Sequence, residues 1–302
     1  MKVIEFQNQQ LSKLSFGTVQ LGLNYGISNH NGKPTQKTAD KIVAYLIGEG
    51  INCFDTATAY GNSEEVLGKA IGDHKNIQLI SKVKSDLFLD DIETIANNSL
   101  KRLKTNRLFV LLLHDSELLS HWNNNDDKKI SLLKAKGLIE HFGVSIYTAE
   151  EFNLAIENPA IQIIQIPFNL FDQRAINHKW FERATKANKL IFIRSIFLQG
   201  LFFMNPTKLK GNLCDAAPYL NKMHRIRKTL ALSITEFAMA YVDSAAPNAV
   251  ILFGCDTLEQ AKENIQSYNN LPTFADELLY TINTNFSNIP EYVLNPGLWS
   301  TK

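Results

Sequence analysis

Leu108-Phe109-Val110-Leu111-Leu112-Leu113 is an unbroken apolar run held between Arg107 and His114. A strand with one wet face alternates apolar and polar residues; a run without alternation belongs to a parallel strand covered on both faces. Parallel neighbours cannot be joined by a tight turn and need a crossover, usually a helix. The rest of the chain supplies that pattern. Strand-like runs at Leu14–Val19, Ile51–Asp55, Ile77–Lys82, Ile139–Val144, Ile161–Ile166, Leu190–Ile193 and Ala249–Phe253 are separated by segments of helical periodicity. The helices are expected at Gln36–Ile47, Glu65–Ile71, Asp90–Leu103, Asp126–Lys136, Ala149–Ile156, Ala175–Ala187, Asp215–Leu230, Ser233–Ala245 and Thr257–Tyr268. No Pro/Gly/Ser linker or charge block divides them. The 302 residues therefore read as one domain over 1–302, an α/β chain closed as a (β/α)8 TIM barrel rather than an open doubly wound sheet. Residues 1–13 are expected to close the barrel floor as a short ribbon or arm. Residues 271–302, partly helical at Phe274–Ile282, are expected to fold over the mouth.

Three successive strands end on groups that carry chemistry. Ile51-Asn52-Cys53-Phe54-Asp55 ends on a carboxylate, and the small-residue turn after it carries Tyr60 just before a helix opens at Asn62 or Ser63. Ile80-Ser81-Lys82 delivers an ammonium, and the Leu108–Leu113 run delivers His114. A free phenol, with a pKa of about 10, is a poor proton donor at neutral pH. A lysine beside it stabilises the phenolate, and a carboxylate can hold that lysine in place. Reactive groups of a barrel come from the C-terminal ends of several strands, where these stand. Gly17, closing the first barrel strand, marks a close approach of backbone to a ligand.

The segment FDTATAYGNSE, followed by ISK and LLLH, resembles the aldo-keto reductase family over about Leu14 to Asn270. That resemblance implies a nicotinamide cofactor and a catalytic tetrad of Asp55, Tyr60, Lys82 and His114. Tyr60 would donate the proton, Lys82 would assist it, Asp55 would anchor Lys82, and His114 would orient the carbonyl. It also implies cofactor-binding positions at Gly17, Thr18, Ser145 and Gln165. Further positions follow at Arg194, Ser195, Phe197, Leu198 and Gly200 along the pyrophosphate loop, and at Gly254, Asp256, Gln260, Glu263 and Asn264 around the adenosine. The likeness has gaps. Ile146 stands in place of the usual asparagine, Arg194 in place of the aromatic residue that stacks on the nicotinamide, and Val19 in place of a common tryptophan. Asp256 and Gln260 occupy places where basic groups often grip the 2′-phosphate. NADP(H) is the cofactor by family expectation, with NAD(H) possible, and any preference between them is expected to be under about tenfold, about 1.4 kcal/mol.

Composition narrows the partners. A formal net charge of +1 gives no electrostatic footprint for nucleic acid or an anionic membrane surface. No apolar run reaches spanning length, and MKVIEFQNQQLSKL lacks a signal-peptide core, so the cytoplasm is the expected location. Cys53, Cys214 and Cys255 have no metal-ligand spacing, no metal is expected, and Cys53 reads as a small core residue. The expected partner is a small-molecule carbonyl or alcohol. Asn24, Asn29, His30, Asn31, Arg174 and Arg194 lean that expectation towards hydroxylated or anionic molecules, sugars included. The same fold also hosts cofactor-binding regulatory subunits, which turnover assays separate from reductases.

Overall fold

The computed structural model describes residues 1–29 and 32–300; His30 and Asn31, counted above among the polar loop groups, lie outside the described residues. The chain opens with an antiparallel hairpin, β1 (Val3–Phe6) and β2 (Gln9–Ser12). Ile4, Phe6 and Leu11 pack against the apolar cluster inside the barrel. This is the ribbon expected at the floor.

Eight parallel strands follow: β3 (Leu14–Gly17), β4 (Cys53–Asp55), β5 (Gln78–Val83), β6 (Leu108–Leu113), β7 (Ile139–Ser145), β8 (Ile163–Pro167), β9 (Leu190–Arg194) and β10 (Val250–Phe253). Each pairs with the next, and β10 returns to β3 through Ile251↔Leu14 and Phe253↔Phe16. The result is the expected (β/α)8 barrel. No helix among the described residues is long and apolar enough to cross a membrane.

The strand period of two places the site. Residues such as Phe54, Leu111, Leu113, Phe142, Ile164 and Ile193 belong to the outer cluster shared with the helices. Cys53, Ile80, Leu112, Ile163 and Phe192 belong to the separate cluster inside the barrel. Two residues after each of these inner residues come Asp55, Lys82, His114, Gln165 and Arg194. Each is the next inward-facing position of its strand, so an apolar plug gives way to one ring of polar side chains at the C-terminal end. Cys53 is buried in the plug beneath Asp55, as expected of a core residue.

Three expectations are corrected. The helix expected over 175–187 is two pieces, Arg174–Asn177 and Trp180–Lys186, broken where Lys179 turns left-handed at φ 54°. The break brings Trp180 fully inside, stacked on Phe152 with centroids 4.9 Å apart and planes at 7°. Burying that large ring outweighs continuous helical hydrogen bonding. The helix expected from Asp90 begins at Ser85 and is kinked at Asp91, whose carboxylate accepts from Thr94 N at 3.0 Å. Of the C-terminal tail, with its helix Asp276–Asn285, no described residue lines the cavity at the mouth. The tail is fastened to the flank instead. Asn283 accepts from Tyr241 Oη at 2.7 Å, Asn288 O from Tyr219 Oη at 2.8 Å, and Phe286 packs on Phe171. Apolar Ile282, Phe286 and Val293 are all buried, and the helices at Ala217–Thr229 and Ile234–Ala245 supply the neighbouring surface.

Candidate active site

A cavity of about 640 Å³ opens at the C-terminal end of the barrel. Its walls include every residue expected at the site except Lys82 and Leu198.

Lys82 lies behind the wall, 1% exposed. Its ammonium has three N–H donors and no acceptor, and three oxygens surround it. Asp55 Oδ1 lies at 2.5 Å, Thr56 O at 2.8 Å and Tyr60 Oη at 3.4 Å. Burial by itself would lower the Lys82 pKa; the Asp55 carboxylate and Tyr60 more than offset this and hold it above the ordinary lysine value. A second group fixes Asp55, because Gln165 Nε2 donates to its Oδ2 at 2.9 Å. The sequence reading gave Gln165 a role towards the cofactor alone. Its position opposite Ser145 in the β7–β8 register also makes it a brace for the carboxylate.

Tyr60 is held by backbone as much as by Lys82. Its N–H donates to Ala57 O at 3.1 Å and its carbonyl accepts from Ser63 N at 3.0 Å. Gly22 lies directly against this turn. A Cβ on Gly22 would sit 1.7 Å from Tyr60 O, and one on Gly61, at φ 56°, would sit 2.6 Å from Gly22 O. Only glycine at Gly22 lets the two backbones meet. The sequence reading gave Gly22 no role, and this positioning contact was missed. The signal was present in the sequence as a glycine soon after a strand end, without a stated partner.

His114 meets Tyr60 edge to face, with ring centroids 5.3 Å apart. Burial first, then the positive charges of Lys82 and Arg194, pull its pKa down to about 4. The imidazole is therefore neutral at pH 7, with one nitrogen donating and the other accepting.

Arg194 does not lie open as a bare stacking platform. Its guanidinium packs 4.1 Å from the centroid of Tyr147 and donates to Ser145 Oγ (3.3 Å), Ser195 Oγ (3.4 Å) and Ile146 O (3.2 Å). Ile146, standing in place of the family's asparagine, thus contributes its carbonyl while its side chain is buried in the outer core. Arg174 is corrected as a ligand-facing group. It is outside the cavity wall, bound to buried Asp172 at 2.6 and 2.8 Å and to Tyr147 O at 2.6 Å. Leu198 is corrected too: its side chain is buried in the core and does not line the cavity. Ser195, Phe197 and Gly200 of the same turn do.

At the far end, Gly254, Asp256, Gln260, Glu263 and Asn264 form the wall. Gln260 Oε1 accepts from Asp256 N at 2.7 Å, closing the turn into the helix Leu258–Asn269. Asp256 Oδ1 accepts from Asn29 Nδ2 at 3.2 Å, and burial pushes the carboxyl up to about 6. Ile27 N donates to Gln199 O at 3.1 Å. The loop after β3 is thereby tied to the loops after β9 and β10. Asn29, one of the polar loop residues named from sequence, lines the cavity; Tyr25, Gln20, Tyr147 and Gln199 line it too and were not singled out from sequence, because loop reach has no sequence period. Lys208, Lys210 and Lys262 do not line it.

The family model of the Aldo/keto reductase family matches residues 13–283. The chain belongs to the aldo/keto reductase family. Membership makes it an NAD(P)H-dependent oxidoreductase. Among curated relatives, this aldo/keto reductase is 26% identical to the oxidoreductase YqkF of Bacillus subtilis over 287 residues, covering 86% of this chain and 92% of the relative. It is 28% identical over 182 residues to the aldo-keto reductase YhdN of the same organism, covering 54% of this chain and 52% of the relative. Among solved structures, the aldo-keto reductase AKR11C1 of Bacillus halodurans, in its holo form, superposes with a TM-score of 0.76 at 19% identity, covering 94% of this chain and 96% of that one. A Klebsiella pneumoniae aldo-keto reductase in complex with NADP and acetate gives 0.70 at 19% identity, covering 94% and 95%. At such identities these likenesses concern the fold.

Proposed function

We propose that the protein reduces the carbonyl of a small molecule with Tyr60 as proton donor and NADP(H) as its nicotinamide cofactor. One observation carries the reading. Lys82 places its three donors on Asp55, Thr56 O and Tyr60 Oη. An ammonium cannot accept, so the Tyr60 oxygen receives a hydrogen bond from Lys82 and its own O–H is free to point elsewhere. Tyr60 lines the cavity, so that proton faces a bound carbonyl. As the carbonyl oxygen gains negative charge, Tyr60 gives up its proton and Lys82 stabilises the phenolate left behind. Asp55, braced by Gln165, keeps Lys82 charged and aimed. Neutral His114, beside Tyr60, donates its single N–H to the same oxygen and orients it.

The cavity fits a dinucleotide along its length. It runs from Tyr60 and His114 past Ser145, Gln165 and the Ser195–Gly200 turn to Asp256, Glu263 and Asn264. A side chain at Gly200, at φ 92°, would meet Ser28 Oγ at 2.1 Å, so the turn and the loop after β3 approach as backbone and leave the channel open beneath them. Ser145 and the Gln165 carbonyl would hold the carboxamide, and Glu263 and Asn264 the adenine. When bound, the cofactor supplies the hydride. The 2′-phosphate fits least well, because Asp256 lies at that end and, among the described residues, no lysine or arginine near it lines the wall. NADH is therefore a competent second cofactor.

The test is the absorbance change of reduced cofactor with a panel of aldehydes, ketones and sugars, beside cofactor binding measured by fluorescence. Turnover on at least one member with tight cofactor binding is the expected result. Binding without turnover on any member would favour a regulatory barrel instead.

A further inference from the structure

Arg194 is the only lysine or arginine among the described residues that lines the cavity, and it forms no ion pair among them. A guanidinium offers five N–H donors. Three bonds to Ser145, Ser195 and Ile146 O use neutral acceptors at 3.2 to 3.4 Å, which leaves two donors and the full charge uncompensated. The neighbouring charges do not help, since Asp55 is already paired with Lys82. The catalytic end of the cavity thus carries one surplus positive charge.

That charge is held in place by groups with no other evident task. The Tyr147 ring supports the guanidinium face, Tyr147 N donates to Glu151 Oε2 at 2.5 Å, and Tyr147 O accepts from Arg174. Arg174 is anchored by Asp172, whose side chain is fully buried. Holding a half-buried cation so firmly, without a counter-ion, matches a site waiting for an oxyanion. The nicotinamide cannot supply one: it is neutral when reduced and cationic when oxidised.

We propose that Arg194 receives an oxyanion carried by the substrate, so that the substrates are carbonyl compounds bearing a carboxylate or phosphate. This rests on the reductase reading above and names its substrate class. Arg194 forms two charge-assisted bonds to the anion while the carbonyl lies against Tyr60 and His114. Neutral aldehydes of the same shape leave the guanidinium unpaired and are reduced less efficiently.

The test compares a charged carbonyl compound with a neutral counterpart of the same skeleton: para-carboxybenzaldehyde against its methyl ester, and glyceraldehyde phosphate against glyceraldehyde. The charged member of at least one pair is expected to have a kcat/KM about tenfold higher or more at low ionic strength, about 1.4 kcal/mol. That ratio should collapse to near one in Arg194→Gln and be partly retained in Arg194→Lys, whatever happens to absolute rates. Thermal melts confirm that both variants fold. Equal efficiency within both pairs overturns the proposal. So does an Arg194→Gln variant that loses NADPH affinity while the charge ratio persists, because the guanidinium then serves the cofactor's phosphates. If no member of either pair is reduced, the reductase reading is what fails. The anchor is then judged by calorimetry with para-(hydroxymethyl)benzoate: binding tenfold weaker in Arg194→Gln supports it, and equal binding overturns it.

Discussion

The two ends of the cavity treat charge in opposite ways. Beneath the wall of the catalytic end the buried Lys82–Asp55 pair is matched, apart from Arg194 on the wall itself: three Lys82 donors meet three oxygens, and Asp55 is shared between Lys82 and Gln165. At the adenosine end the Asp256 carboxylate accepts from a neutral amide, that of Asn29, and is pushed up to about 6 by burial. A matched buried pair costs stability if either member is removed, so it constrains chemistry tightly. A weakly held acid at a rim constrains only which ligand is preferred. The catalytic end should therefore respond to substitution by orders of magnitude and the adenosine end by small factors.

The largest effect is expected for Tyr60→Phe. It removes the hydroxyl proposed above as the proton donor and should lower carbonyl reduction by about 10²–10⁴. The NADPH dissociation constant should stay nearly constant, and a variant keeping most of its activity would show that another group is the acid. Lys82→Met and Asp55→Asn come next. Each should cost much of the rate, and the double variant little more than the worse single one, because the two act as a unit. Fully additive losses, read from single-turnover rates, would separate their roles.

Gly22→Ala tests whether backbone packing sets the position of Tyr60. The added methyl group would overlap the Tyr60 carbonyl, so the turn must move. A shift of about 1 Å at the acid is enough to lower the rate by about a hundredfold. The expected signature is a fall in kcat with a folded far-ultraviolet spectrum and retained cofactor binding; an unchanged kcat would show that the turn accommodates the methyl group elsewhere.

The smallest effects lie at Asp256. Wild-type preference for NADPH over NADH is expected to be under about tenfold, about 1.4 kcal/mol. Asp256→Arg should raise it selectively and make it salt-sensitive, since an exposed charge pair is screened. With its pKa raised to about 6, Asp256 is charged above that pH and neutral below it. At pH 8 Asp256→Asn should thus favour NADPH more than wild type does, and the two should converge as the pH falls through 6. Comparing the two proteins at each pH cancels the titration of the cofactor's own phosphate. A wild-type preference in the thousands would sink this account of the adenosine end.

The sequence by itself determined the barrel and put Asp55, Lys82 and His114 at strand ends, while Tyr60, on a turn, joined them through the family resemblance. The barrel and the strand-end groups follow from short periods. Apolar runs such as Leu108–Leu113 mark strands buried on both faces, and Asp55, Lys82 and His114 end their strands at the next inward position. Local pattern also indicated the ribbon at the floor, and most helix limits within a few residues, as at Gln36–Gly48 and Ala149–Glu157. What only the tertiary structure decided is where side chains went once strands were no longer involved. The break at Lys179 arises because Trp180 finds a stacking partner in Phe152, distant in sequence. Gly22 matters because Tyr60 O lies against it, Leu198 turns into the core, and the tail finds its apolar surface on the barrel flank. Arg194 reads from sequence as a stand-in for an aromatic ring. The fold shows it as a cation clasped by Ser145, Ser195, Ile146 O and Tyr147, without a counter-ion among the described residues. Contacts of this kind carry no period along the chain, because they are made between loops and strand ends that only closure of the barrel brings together.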